Sequence, residues 1–200
     1  VFLEAKSFGF EGSKTGEIVF NTSLSGYQEI MSDPSYAGQF IVFTMPEIGI
    51  VGTNDNDMES STIYASGMFV RSLNETPSNF RSQKSLPEFL KQHKSMGICD
   101  IDTRYLTKMI RDSGPKMMIA STEVSDPEKL KAMLASSPRI EEVNYIEKVS
   151  TPKSYVHDHG VWNAETQSYN ATPKRLGKKI LAVDLGIKHN ILNELYEVGL

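Results

Sequence analysis

The order of its patterned segments constrains this chain most. Three runs rich in β-branched and aromatic residues, 17–21, 39–45 and 67–73, precede the first segment with a helix start signal. The opening stretch, VFLEAKSFGF, also reads as strand, and two further strand-like runs, 95–101 and 117–121, fall among the helices. A strict βαβ repeat would alternate one for one, so this order predicts a mixed α+β domain. The helix signals are local. Ser85-Leu-Pro-Glu88 is a capping box with Pro near the first turn, and Leu86, Phe89 and Leu90 supply its apolar face. Asp102 or Thr103 can cap a helix over 104–112, where Leu106, Met109 and Ile110 share a face and Gly114-Pro115 stops it. Asp126-Pro127 opens a third helix carrying Leu130, Met133 and Leu134.

The pattern fades over 151–178, which holds two prolines, two glycines and scattered aromatics. We read it as an extended connector lying on the first domain, 1–150, because Tyr155, Trp162 and Tyr169 are costly to leave in water. Residues 179–200 restart as strand, loop and helix, with Ile180-Leu-Ala-Val183 of the buried parallel-strand type. A lone βα unit cannot bury its own strand, so continuation past Leu200 into an α/β domain is expected.

Composition excludes several classes. The 200 residues carry a formal net charge of −4, so no basic field gathers nucleic acid. One cysteine allows neither an intrachain disulfide nor a thiolate zinc cage and fits a reducing cytoplasm. No run in these residues is apolar over a transmembrane length, and neither a signal peptide nor a membrane partner is expected.

Few constellations suggest chemistry. Gly97-Ile-Cys99-Asp-Ile101 lacks the second glycine of a nucleophile elbow, and a buried strand cysteine is the better reading. His157-Asp-His159 has no further ligand nearby in sequence, and Asp55-Asn-Asp57-Met-Glu59 lacks the glycine and terminal Glu of a calcium loop, so it reads as a polar loop. No metal site is expected. Gly12, Gly16 and Gly26 make no phosphate cradle. There remains GEIVFNTSLSGYQEIMSDPSYAGQ, from Gly16 to Gln39, which begins as strand and continues as turn formers. Asp33 can close an Asx-turn, Pro34 fixes φ, and Ser35 then sits on a rigid, presented bend. An ordinary structured loop accounts for the same residues.

This segment resembles the hallmark of the small, glutamine-hydrolysing subunit of carbamoyl phosphate synthase. Further matches follow in order: MPEIGIVGTND, then SNFRSQKSLPEFLKQHKSMGICDIDTRYLTKMIRDSG, then LAVDLGIKHNIL, with Leu185 where Phe or Cys is commoner. The likeness is collinear over nearly the whole chain. It implies a swivelling β/β/α-type N-terminal domain, followed by the first strand-helix unit of a truncated class I glutamine amidotransferase domain. That family's Cys-His-Glu triad has no match within these residues, so no catalytic residue is assigned. The resemblance makes Ser35 a glutamine-binding residue reaching across the domain boundary. It makes Lys188 a support for the loop or for the substrate carboxylate. It implies a cytoplasmic heterodimer with a large synthetase subunit, serving arginine and pyrimidine biosynthesis. ATP and Mg2+ are expected on that partner, and no cofactor on this chain. Two other readings are a pure subunit-interaction module without substrate contact and an independent hydrolase using Cys99.

Overall fold

The computed structural model describes residues 1–171 and 176–200. Positions 172–175 of the expected connector lie outside the described residues. Six strands pair into one sheet: β1 (Lys6–Gly9), β2 (Ser13–Asn21), β3 (Gln39–Phe43), β4 (Gly67–Phe69), β5 (Met96–Cys99) and β6 (Lys116–Ser121). Their order is β1-β5-β4-β3-β2-β6. β2, β3, β4 and β5 run parallel to their neighbours, while β1 and β6 add antiparallel edges on β5 and β2.

A parallel sheet must be covered on both faces, and the side chains of β3 divide accordingly. Ile41 and Phe43 join Tyr27, Met31, Leu86, Phe89 and Leu90, from helices α1 (Tyr27–Ser32) and α2 (Leu86–Gln92). Phe40 and Val42 join Leu106 and Ile110 of α3 (Thr103–Ser113). Phe40 is fully buried, its ring 5.8 Å from that of Phe69. A Cβ on Gly67, its partner across β4, would come within 2.7 Å of that ring. Glycine is therefore required there by close approach.

The helices begin where the sequence signals lie. Ser85 caps α2 through Glu88 N–H, and the Glu88 carboxylate accepts in return from Ser85 N–H at 3.0 Å and from its hydroxyl at 2.7 Å. Asp102 caps α3, and Asp126 caps α4 (Pro127–Ala135). Ser85→Ala is expected to cost about 1 kcal/mol in urea denaturation at neutral pH; an unchanged midpoint would contradict the box. Bonds from the Ser85 side chain and backbone hold the Glu88 carboxyl below its ordinary range. A carboxyl lowered on folding stabilises above its ordinary titration range and loses that contribution as pH falls through its lowered value. The Ser85→Ala difference should therefore shrink in acid.

Three expectations need correction. Residues 27–32 form a helix, and Pro34–Tyr36 a 3-10 turn, where the sequence reads as loop. α1 has no side-chain cap at Gly26, only Glu29 in its first turn, and bonds from Tyr27 and Gln28 to residues 52 and 54 help fix it. β4 ends at Phe69 rather than near 73. The run 180–183 forms no strand, and Leu181 and Val183 are 91% and 75% exposed. A strand needs a neighbour to complete its ladder, and among the described residues none lies beside this run.

Beyond α4 come α5 (Tyr145–Val149) and a hairpin of β7 (Trp162–Asn163) and β8 (Ser168–Tyr169). The Arg81 guanidinium lies 4.9 Å from the Trp162 ring centroid, and Tyr169 donates its hydroxyl to the Asn56 carbonyl. Tyr155 stays half exposed, donating to Asp184 at 3.0 Å. Helix α6 (His189–Glu197) closes the chain. Among the described residues no helix is long and apolar enough to cross a membrane.

Candidate functional site

The parallel step from β2 to β3 passes through residues 22–38, which therefore emerge at one end of the sheet. Asn21 closes a turn by accepting from Ser23 N–H, and its amide donates to the Tyr36 hydroxyl at 3.1 Å. Gly26, at φ +77°, starts α1. Tyr27 donates to the Gly52 carbonyl, and the Gln28 amide bonds both the N–H and the carbonyl of Asn54. Burial, and then the charge of Glu29, pushes the Tyr27 hydroxyl well above its ordinary value. Burial also pushes the Glu29 carboxyl up. Glu29, Asn54, Asp57 and Arg81 help line a cavity of about 190 Å³ beside this helix.

The bend itself forms as its residues dictate. Asp33 accepts from Ser35 N–H at 2.9 Å, Pro34 follows in the first 3-10 position, and Tyr36 N–H returns to the Asp33 carbonyl. Asp33 and Pro34 are buried; Ser35 alone of the turn is exposed. Its hydroxyl is thus presented from a rigid base.

The structure brings this bend against the last segment of the chain. Lys188 Nζ lies 3.4 Å from Asp33 Oδ2. Gly186, at φ +99°, approaches so closely that a Cβ there would meet Pro34 at 3.2 Å and Val149 at 2.7 Å. The segment 184–188 is held by Asp184, which accepts from the N–H groups of Gly186 and Ile187 at 3.0 Å each. Burial pushes the Asp184 carboxyl up, but these amides, the Tyr155 hydroxyl and His189 outweigh it and hold it below its ordinary value.

Ser35 and Lys188, separated by most of the chain, therefore lie on opposite sides of one contact. The Lys188 ammonium faces a carboxylate of this chain. The sequence reading missed Glu59, taken as part of a polar loop. It is 5% exposed, and its carboxylate accepts from Asn190 N–H at 3.0 Å and from the Asn190 amide at 2.7 Å. Nothing local marks it, because its partner is 131 residues away.

Cys99 lies on β5, 8% exposed. Burial, and then Asp100, pushes its thiol up, away from the thiolate a nucleophile needs. The His157 and His159 rings lie 4.3 Å apart, tilted by 44°, but among the described residues no group of three or more His, Cys, Asp or Glu is placed to hold a metal.

A family model described as carbamoyl-phosphate synthase small chain, CPSase domain, matches residues 1–120. The carbamoyl phosphate synthase small chain of Campylobacter jejuni is 57% identical over 199 residues, covering 100% of this chain and 53% of that protein. Those of Helicobacter hepaticus and Aquifex aeolicus are 50% and 42% identical, over 100% and 96% of this chain and 53% and 52% of their own lengths. The chain spans about half the length of the curated relatives it matches.

Proposed function

This chain belongs to the carbamoyl-phosphate synthase small-chain family, and from that premise we propose that its full-length protein hydrolyses glutamine and delivers the ammonia to a large synthetase subunit. There the ammonia would be joined to bicarbonate at the expense of ATP, giving carbamoyl phosphate. ATP and Mg2+ belong to that partner in this reading, and the pair works in the cytoplasm for arginine and pyrimidine synthesis. The residues described here supply docking to the partner and one wall of the glutamine site.

One observation carries the reading: the exposed Ser35 bend lies against residues 186–188, tied by Asp33 and Lys188. A hydroxyl donates to a carboxylate and accepts from an ammonium, and glutamine offers both groups. Ser35 therefore binds and orients. The amide carbon is attacked by a nucleophile from the other half of the full-length protein, with backbone donors stabilising the oxyanion. Cys99 is unsuited to that role by its burial and raised thiol. The position of 186–188 supports assigning 179–200 to an amidotransferase unit, with 1–150 as the small-chain N-terminal domain and 151–178 as the connector between them.

The test is reconstitution. The full-length protein with its large subunit is expected to make carbamoyl phosphate from glutamine, and this 200-residue chain alone to release no ammonia from glutamine above background. Turnover by the chain alone that vanishes in Cys99→Ala would move the chemistry to Cys99 and sink the proposal.

A further inference from the structure

Glu59 is a buried carboxylate with no role in the reading above, and burying such a group is costly unless its oxygens are satisfied. They are satisfied by one turn of one helix. The first N–H groups of a helix have no intrahelical partner, and a negative charge there is favoured by the helix dipole. The Glu59 carboxylate takes the Asn190 N–H and side-chain amide, and the Glu59 carbonyl takes the His189 N–H at 3.0 Å. The Asn190 side-chain oxygen in turn accepts from the Asn193 amide at 2.9 Å.

The same residue grips the other partner. Glu59 N–H donates to the Ser32 hydroxyl at 2.9 Å, and the Ser60 hydroxyl donates to the Ser32 carbonyl at 2.7 Å. Ser32 is the last residue of α1 and the residue before Asp33, which holds Ser35 N–H and faces Lys188. Residues 59 and 60 thus join the base of the Ser35 bend, through buried bonds to Ser32, to the first turn of α6, through part-buried bonds to Asn190.

We propose that Glu59 is a positioning residue for glutamine use: it sets where the Ser35 hydroxyl stands relative to α6 by clamping the end of α1 to that helix. This rests on Ser35 contacting glutamine. Glu59 itself touches no substrate. The Asp33–Lys188 pair is a single contact at 3.4 Å from a flexible lysine; the two Glu59–Asn190 bonds, at 3.0 and 2.7 Å from a buried carboxylate, fix the register.

The test uses the full-length protein with its large subunit, glutamine- and ammonia-dependent synthesis being measured side by side. Glu59→Ala is expected to raise KM for glutamine about tenfold while ammonia-dependent synthesis stays within about twofold. Glu59→Gln, which keeps one acceptor, should recover part of that loss. Asn190→Ala added to Glu59→Ala should cost much less than the product of the single effects, because both remove one contact. An unchanged glutamine KM in Glu59→Ala and Glu59→Gln would overturn the proposal, as would an equal fall in both activities or multiplicative effects with Asn190→Ala. Hydrogen exchange decides the clamp independently of catalysis. Faster exchange at the Ser35 and Asn190 amides in Glu59→Gln supports it; unchanged exchange at both overturns it. If Ser35→Phe spared glutamine use, the assignment of Ser35 would fail, and the exchange result would still judge the clamp.

Discussion

Replacing Ser35 by Phe in the full-length protein is expected to lower kcat/KM for glutamine about a hundredfold and to leave ammonia-dependent synthesis within about twofold. A hydrogen bond to a charged group contributes roughly 1.5–3 kcal/mol, and each 1.4 kcal/mol is about tenfold. The upper end of that range reaches a hundredfold before any steric exclusion by the ring is counted. The turn itself should survive. Its geometry comes from the Asp33 carboxylate on the backbone N–H of residue 35 and from Pro34, not from the Ser35 side chain. Ser35 is also exposed, so the added ring meets solvent or substrate rather than core. Ser35→Ala should show the hydrogen-bond part alone, about ten- to a hundredfold. Equal loss of both activities would mean that the bend serves docking to the large subunit and not glutamine.

Phe40→Ala carries the largest expected cost to the fold, about 3–5 kcal/mol. That is a large part of the roughly 5–15 kcal/mol by which domains of this kind are stable. Phe40 is 0% exposed on β3, its ring covering Gly67 and packing on Phe69. On one side its ladder partner is Gly67, which offers no side chain to fill the space; on the other it is Ile18. Urea denaturation followed by circular dichroism and by Trp162 fluorescence measures the loss. Phe80, 79% exposed, is the internal control; its replacement by Ala should change stability by no more than about 0.5 kcal/mol. Similar costs for the two substitutions would contradict the core described here.

The legible parts of this chain are those whose cause lies within a few residues. Ser85, Asp102 and Asp126 each cap a helix three or fewer residues ahead, and all three helices form there. The alternation along Phe40-Ile41-Val42-Phe43 likewise places its own side chains on opposite faces. The Asp33-Pro34 turn is of the same kind, which is why the presentation of Ser35 was readable. α1 was not, because its six residues lack a side-chain cap and are held by Gly52 and Asn54, more than twenty residues on. Residues 180–183 show the opposite error: an apolar, β-branched run is only a capacity for strand, and among the described residues no partner ladder stands beside it.

Sequence alone determined the mixed α+β architecture, the capped helices, the small-chain family resemblance and the bend that lifts Ser35 into view. Tertiary structure alone decided that Glu59 is a buried anchor rather than a loop carboxylate, that Lys188 faces Asp33, and that Gly186 sits on Pro34. The division follows from range. Caps, turns and side-chain alternation are fixed by neighbours along the backbone, whereas a buried carboxylate is stable only where the fold delivers donors from far along the chain.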